Sequence, residues 1–269
     1  MKTVVERIEE QQDNLYFQEH LKRYLFAMPY FQPGWTLDIA CGSGYGVSLL
    51  GRDTSQHIIG IDVDRQTLCK AQQTYAQGLS FLAADGVRLP FSVGTFHNIV
   101  TLETIEHITD DRSFLAELSR VLDHNGVCVL STPNREHSLR HQRKNPYHVR
   151  EYVADELLEL LSGFFSMVDL FYQSFSASYY STVAHYAKAI QQEKAHLPRP
   201  MRLVIDRVYR PLKHMVPASI TNLSVRSLLK QQYPQPTAEE IQIASDPLED
   251  YSVLIAVCRQ PIGATGRLA

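Results

Sequence analysis

The sequence predicts an α/β fold in which a mainly parallel sheet of seven strands carries helices on both faces. Two observations favour this class. Short apolar runs recur along the chain, and the first five are separated by helix-length segments whose apolar residues recur at intervals of three and four. Such alternation is typical of βαβ units, which bury both faces of a parallel sheet. The alternation ends near residue 174 and a last apolar run follows much later, which predicts a helical insertion between the last two strands.

The elements follow in order along the chain. The predicted strands cover 35–40, 57–63, 79–84, 97–102, 127–132, 167–173 and 251–258. We expect three parts: an N-terminal helical lid at 1–34, a core at 35–173 and 249–260, and a helical cap or insertion at 174–248.

Composition is that of an ordinary globular chain. The 269 residues are 44% apolar and 20% charged, and no apolar run approaches the ~20 residues of a membrane span. The N-terminus is charged and has no apolar signal core, so we expect a cytoplasmic protein without a membrane span. The four cysteines form no CxxC pair and are expected to be reduced.

A glycine-rich turn, "LDIACGSGYG", follows the first predicted strand. Gly42 and Gly44 allow the backbone to approach a ligand closely. A dinucleotide-binding fingerprint requires a glycine where this chain has Val47. Asp62 ends the second strand and suits the two hydroxyls of a ribose, and Asp85 follows the third strand. The turn together with both aspartates predicts a nucleoside-containing ligand.

With "GIDVD", "AADGVRLPF", "RVLDHNGVCVLSTPN" and "EHLKRYLFA", this turn makes the chain resemble the class I S-adenosylmethionine-dependent methyltransferases. The resemblance covers roughly residues 15–173 and the last strand, and it implies a Rossmann-like fold that uses S-adenosylmethionine. It implies that Asp38 and the backbone of 42–44 hold the methionine end, Asp62 the ribose and Asp85 the adenine amine. The cofactor-binding residues are expected to be Tyr24, Asp38, Gly42, Gly44, Asp62, Val63, Asp85 and Gly86.

The stretch "LETIEHI" places Glu103, Glu106 and His107 directly after the fourth strand. If 103–108 is the first turn of a helix, these side chains share one face and converge. His148 follows the fifth strand, whose end meets the same sheet edge. The convergence indicates a metal site, a general base, or a solvated helix start that favours acids.

The stretch, together with "HVREY", is similar to the E-x-x-E-H and downstream histidine of ubiquinone-biosynthesis O-methyltransferases and small-RNA 2′-O-methyltransferases. In the second group these positions bind a magnesium-type ion, which implies Glu103, Glu106, His107 and His148 as metal ligands here. Mixed oxygen and nitrogen ligands admit magnesium, manganese, iron or zinc. The expected catalytic residues are Glu106, His107 and His148, and without a metal either histidine becomes the candidate general base.

The acceptor is the least constrained part of the prediction. We favour a hydroxyl of a small molecule or glycan, because a metal set and a covering insertion accompany the cofactor turn. A ribose 2′-O-methyltransferase acting on RNA is the alternative, suggested by the basic stretch at 135–150, although a pI near 6.4 makes nucleic acid an unfavoured partner. A non-catalytic scaffold with this fold is a third hypothesis, and a homodimer is compatible with all three.

Overall fold

The protein is described here by a computed structural model that covers residues 15–53, 55–75, 78–141, 145–176, 178, 181, 238–247 and 250–262. The helices are α1 (Leu15–Ala27), α2 (Tyr45–Leu50), α3 (Arg65–Thr74), α4 (Asp111–Val121), α5 (Arg135–Arg140) and α6 (Ala154–Ser162). The strands are β1 (Gly34–Ile39), β2 (Gln56–Asp62), β3 (Ser80–Ala83), β4 (Phe96–Leu102), β5 (Leu122–Pro133), β6 (Phe165–Phe175), β7 (Ile241–Ala244) and β8 (Val253–Pro261). Short 3-10 turns lie at Met28–Tyr30, Ile105–His107 and Ala238–Glu240.

The strands form one sheet in the order β3-β2-β1-β4-β5-β8-β6-β7. The pairs among β1 to β5 are parallel, and β8 runs antiparallel to both β5 and β6. The carboxyl ends of β1 to β5 therefore share one edge. The chain order reverses between β1 and β4, and in open α/β sheets ligands bind outside the strand ends at such a switch point.

Both faces of the sheet are covered. Along β5, Cys128 packs in a core cluster with α4 and α6 residues such as Phe114 and Leu157, whereas Val129 packs in a second cluster with Ala27 of α1. Neighbouring strand residues point to opposite faces, so the two clusters lie on opposite sides. The predicted α/β class and mainly parallel sheet are confirmed.

The predicted count of seven strands is wrong, because the sheet has eight. The additional strand β7 lies inside the stretch 174–248, which we expected to be a helical insertion. It has four residues at the end of the sheet order, too few for a periodic pattern to distinguish it from a loop.

The chain divides into two compact units, one of Met1–Ser174 with Ile241–Ala269 and the other of Phe175–Glu240. Most of the expected cap lies outside the described residues, as does the lid before residue 15, so both stay predictions. In the described part of the chain, no helix is long and apolar enough to cross a membrane.

Candidate functional site

The three glycines of the turn after β1 serve different purposes. A Cβ at Gly46 would lie 2.2 Å from the ring of Tyr24, and one at Gly44 would lie 2.8 Å from Phe81. At Gly42, whose φ is 51°, a Cβ would meet no described atom within 4 Å. Gly44 and Gly46 therefore permit close packing, whereas Gly42 faces open space that a ligand can enter.

Asp62, at the end of β2, is held with its carboxylate against this turn. Its Oδ2 accepts the N–H of Gly42 at 3.0 Å and its Oδ1 accepts the N–H of Asp64 at 2.9 Å. A carboxylate accepts the paired hydroxyls of a ribose well. The next side chain, Val63, is 68% exposed, and such an apolar surface suits a flat base.

Asp85 lies beyond β3 in a tight turn. Its Oδ1 accepts the N–H of Val87 at 3.1 Å, and the side chain is exposed. A Cβ at the neighbouring Gly86 would lie 2.8 Å from the ring of Phe114. Gly86 therefore lets this turn pack on α4, and Asp85 projects where it can accept a hydrogen bond from a ligand.

A buried tyrosine–aspartate pair links α1 to β1. The hydroxyl of Tyr24 donates to Asp38 at 3.2 Å from Oδ1 and 3.0 Å from Oδ2. Asp38 is only 1% exposed, and this burial raises the pKa of its carboxyl to about 8, although the Tyr24 hydrogen bond opposes the shift. A carboxyl with this pKa changes charge in the neutral range and can respond to a cationic ligand.

The turn after β4 differs from the expected helix start. Residues Ile105–His107 form a single 3-10 turn and α4 begins only at Asp111. Glu103 takes a left-handed backbone with φ 52°, so it does not share a helical face with residues three and four positions later. Its Oε1 accepts the hydroxyl of Ser131 at 2.7 Å and lies 4.0 Å from Nη2 of Arg23.

Glu106, His107 and His148 nevertheless come together, with one ligand atom from each lying within 4.8 Å of the others. The structure does not include Glu103 in this group. Glu106 is fully buried; its Oε2 accepts the hydroxyl of Thr132 at 3.0 Å, and its Oε1 has no hydrogen-bond partner in the part of the chain described. Burial, followed by the charge of Glu103, raises the pKa of Glu106 well above its ordinary value. A cation beside Oε1 would relieve both penalties.

Neighbouring acceptors orient both imidazoles. Nδ1 of His107 lies 3.0 Å from the carbonyl oxygen of Tyr147, and Nδ1 of His148 lies 2.6 Å from Oε1 of Glu151. Because a carbonyl and a carboxylate only accept, each Nδ1 donates, and each neutral ring carries its lone pair on Nε2. Nε2 of His148 accepts the side-chain amide of Asn145 at 2.8 Å, a hydrogen bond that a metal ion would replace. Metal-bound histidines are oriented in the same way. The Nε2 of His107 is 3.8 Å from Oε1 of Glu106, so these residues fit a divalent metal ion.

Backbone contacts hold the loop after β5 against the turn after β4. The carbonyl oxygen of Glu106 accepts the N–H groups of Val149 at 2.7 Å and Arg150 at 3.2 Å. The guanidinium of Arg150 also donates to Asp111 at 2.8 Å. These bonds explain how His148, far along the chain, reaches the two residues of the "ETIEH" stretch.

Sequence reasoning missed a buried polar group formed by α1 and the end of β6. Nη1 of Arg23 donates to Oε1 of Gln173 at 3.1 Å, and both side chains are buried. Among the described residues, Nε of Arg23, Nε2 of Gln173 and Oγ of Ser174 are buried without hydrogen-bond partners. The signal for Arg23 was available, since it interrupts the apolar face of the helix in "EHLKRYLFA". Nothing comparable marks Gln173.

The three arginines of the basic stretch 135–150 that the structure describes are paired with acidic side chains. Arg143 and Lys144 lie outside the described residues. The other three arginines form ion pairs: Arg135 with Glu156 at 2.7 Å, Arg140 with Asp250 at 3.2 Å, and Arg150 with Asp111 at 2.8 Å.

The core of the chain is similar to a known protein family. Residues 37–130, which include the glycine turn, Asp62 and the "ETIEH" stretch, match the family described as "Methyltransferase domain". This part of the chain is similar to a methyltransferase domain. The match ends before His148, so this candidate ligand lies outside the shared family region.

Named relatives agree on the cofactor. A "Probable S-adenosylmethionine-dependent methyltransferase" of Mycolicibacterium smegmatis is 35% identical over 127 residues, which are 46% of this chain and 49% of that protein. The chain spans about half the length of the first curated relatives that it matches.

Shorter matches differ in the atom that their names give as methylated. An O-methyltransferase of Aspergillus nomiae is 32% identical over 32% of this chain and 40% of its own length. A norajmaline N-methyltransferase of Rauvolfia serpentina is 34% identical over 35% of this chain and 34% of its own length.

Solved structures support the fold. A structure from Thermotoga maritima titled as an S-adenosylmethionine-dependent methyltransferase superposes with a TM-score of 0.56. The superposition covers 91% of this chain and 92% of that chain at 14% identity. At this identity the likeness concerns the fold alone.

Proposed function

We propose that the protein transfers the methyl group of S-adenosylmethionine to a hydroxyl oxygen of a small molecule or glycan, with a divalent metal ion at Glu106, His107 and His148. The observation that carries the proposal is the buried Oε1 of Glu106, which has no hydrogen-bond partner among the described residues and lies beside two oriented imidazoles. This group follows β4 and β5, at the sheet edge that also carries the glycine turn.

The turn after β1 would hold S-adenosylmethionine. Gly42 leaves open space beside the turn, and the carboxylate of Asp62 would accept the ribose hydroxyls. Val63 supplies apolar surface to the adenine, and Asp85 accepts from its amine. Asp38 would face the cationic methionine end, where its carboxylate form is favoured.

A divalent ion at Glu106, His107 and His148 would lower the pKa of an acceptor hydroxyl and fix its oxygen beside the methyl group. The surrounding residues prepare the ligand atoms for this role. Thr132 holds Oε2 of Glu106, so Oε1 is left for the ion. Glu151 holds the imidazole of His148. His107 is partly exposed, so an acceptor can approach the group from its side.

Polar atoms of Arg23, Gln173 and Ser174 have no hydrogen-bond partner within the described part of the chain. They favour a polar acceptor, because ligand oxygens would satisfy them. The ion pairs of the arginines in the stretch 135–150 count against a long polyanion, since that positive charge is already compensated. These features favour a polyhydroxylated small molecule or a glycan over RNA.

The test is methyl transfer from labelled S-adenosylmethionine to panels of phenols, sugars, amines and small RNAs. Protein freed of metal with a chelator should lose transfer to the hydroxyl acceptor and regain it when a divalent ion is added. Undiminished transfer in metal-free protein would contradict the metal role. Transfer to an amine or an RNA in preference to all small hydroxyl compounds would contradict the acceptor class.

A further inference from the structure

A second group of metal-ligating side chains lies apart from the residues discussed so far. His137 and His141 occupy successive turns at α5 and its end, and Asp250 precedes β8. One ligand atom from each lies within 4.8 Å of the others. Nε2 of His141 is 3.0 Å from Oδ2 of Asp250, and Nε2 of His137 is 3.8 Å from Oδ1.

The backbone around this group is pinned. The N–H of Asn134, which caps α5, donates to the carbonyl oxygen of Ser252 at 2.9 Å. Its side-chain amide donates to the carbonyl oxygen of Tyr251 at 3.2 Å. The start of α5 is therefore tied to the segment that carries Asp250. The hydrogen bonds of Asn134 therefore bring these two parts of the chain together independently of the contacts among the three side chains.

The chemistry of the three side chains suits a borderline metal ion. Histidines four residues apart on a helix present their rings to one side, and imidazole favours zinc, copper, iron or nickel over magnesium. Tetrahedral Zn²⁺ takes ligands at about 2.0–2.1 Å, which places ligand atoms roughly 3.4 Å apart. The observed separations of 3.0 and 3.8 Å lie on either side of this value and involve the two different oxygens of Asp250. Because the three ligand atoms lie within 4.8 Å of one another, side-chain rotations would bring them to one ion.

The nearby Arg140 shapes the site without filling it. Its Nη1 donates to Oδ1 of Asp250 at 3.2 Å, and Oδ2 of Asp250 lies 3.0 Å from Nε2 of His141. Arg140 would thus hold the carboxylate in orientation, as a hydrogen bond does for metal-bound carboxylates. Its positive charge also repels a cation, so affinity should rise in a variant that removes the charge and keeps a side-chain donor for the carboxylate.

We propose that His137, His141 and Asp250 bind a zinc-type divalent ion, distinct from the ion proposed at Glu106, and that this ion fastens α5 to the start of β8. Three protein ligands leave a fourth position for water or another small ligand. The proposal depends only on these residues and is independent of methyl transfer.

Zn²⁺ titration of untagged, chelator-treated protein tests it. The variant His148→Ala provides a background without the first site, and there we expect one remaining Zn²⁺ equivalent by calorimetry. In that background His141→Gln and Asp250→Asn should each weaken Zn²⁺ binding at least tenfold and abolish the Zn²⁺-induced rise in Tm. Arg140→Gln should strengthen binding. His124→Ala, which removes an exposed histidine outside the group, is the matched control and should change nothing.

Substitution of the buried His137 is avoided because it could disturb folding; His141 and Asp250 are both more exposed. The proposal is overturned if the His148→Ala background binds no Zn²⁺, or binds it equally well after both His141→Gln and Asp250→Asn. If the wild type binds two Zn²⁺ ions and His148→Ala loses only the ion at the first site, both proposed sites are supported. If chelation leaves methyl transfer unchanged while the second site binds, the proposed function fails and this proposal survives.

Discussion

Replacing Glu106 by glutamine should abolish metal binding at the first site without damaging the fold. Burial and the charge of Glu103 raise the pKa of this carboxyl well above its ordinary value, so the metal-free protein favours its neutral form. Glutamine has the same shape and is also neutral, and its amide can still accept the hydroxyl of Thr132. The metal-free variant should therefore fold as well as the wild type. Its side chain lacks the anionic oxygen that an ion requires.

The size of the effect follows from linkage. An ion present at a hundredfold its Kd stabilises the folded state by about 2.7 kcal/mol. For a domain of this size, each kcal/mol moves the Tm by roughly 2–4 °C. Saturating Mn²⁺ or Mg²⁺ should then raise the wild-type Tm by about 5–11 °C and leave Glu106→Gln unchanged.

Scanning calorimetry with and without the ion measures this difference. Glu103→Gln is the matched control, because Glu103 is an acid of the same turn that is bonded to Ser131 and lies outside the group of three. It should retain most of the rise. Experiments are best run with His141→Gln present, so that only the first site responds. An equal metal-induced rise in the Tm of Glu106→Gln would show that Glu106 is not a ligand. Loss of the rise in Glu103→Gln alone would make Glu103 the ligand instead.

Three further predictions concern the cofactor turn and pH. Tyr24→Phe removes the hydroxyl that opposes the raised pKa of Asp38. Because the cationic S-adenosylmethionine favours the carboxylate, its affinity measured by calorimetry should rise with pH to about 8 in the wild type and to a higher pH in the variant, and an unmoved profile would contradict this. Asp62→Ala should weaken the binding of S-adenosylhomocysteine roughly tenfold or more, because charge-assisted hydrogen bonds worth about 1.5–3 kcal/mol are lost. An unchanged affinity would reject the ribose site. Gly46→Ala should lower the free energy of unfolding in urea by about 1–3 kcal/mol, because the added Cβ would overlap the Tyr24 ring. In a double variant that also carries Tyr24→Ala, this loss of stability should vanish.

The pH dependence of stability supplies a separate check on Glu106. Its folded-state pKa is raised, whereas in the unfolded chain the carboxyl ionises near its ordinary value. The unfolded state therefore loses this proton first, and the metal-free protein should lose stability as pH rises between the two values. Glu106→Gln should remove that part of the pH dependence in chemical unfolding. An identical pH profile for variant and wild type would contradict the raised pKa.

The parallel core was predictable because local patterns determine it. Strand-like apolar runs alternate with helical periodicity, and glycines mark the turn after β1. Strand β7 was not predictable, because four residues at the sheet's end carry too little pattern. Its place depends on pairing with the rest of the sheet, which is a tertiary effect.

The candidate metal group was predictable in part. The resemblance pointed to Glu106, His107 and His148, and the structure brings these three together. The helical geometry assumed for Glu103 is wrong, because its left-handed backbone separates it from that face. Such a conformation in a non-glycine residue is set by the surrounding fold rather than by the local sequence. The sequence did not predict the group of His137, His141 and Asp250, because Asp250 lies far along the chain from the two histidines.

Anomalous X-ray diffraction from a crystal soaked with Mn²⁺ and S-adenosylhomocysteine tests the central claim most directly. We expect an anomalous peak within about 2.0–2.3 Å of Oε1 of Glu106 and of Nε2 of His107 and His148. We also expect S-adenosylhomocysteine in the turn between Gly42 and Asp62. An S-adenosylhomocysteine molecule in that turn, with no anomalous peak at these three side chains, would contradict it.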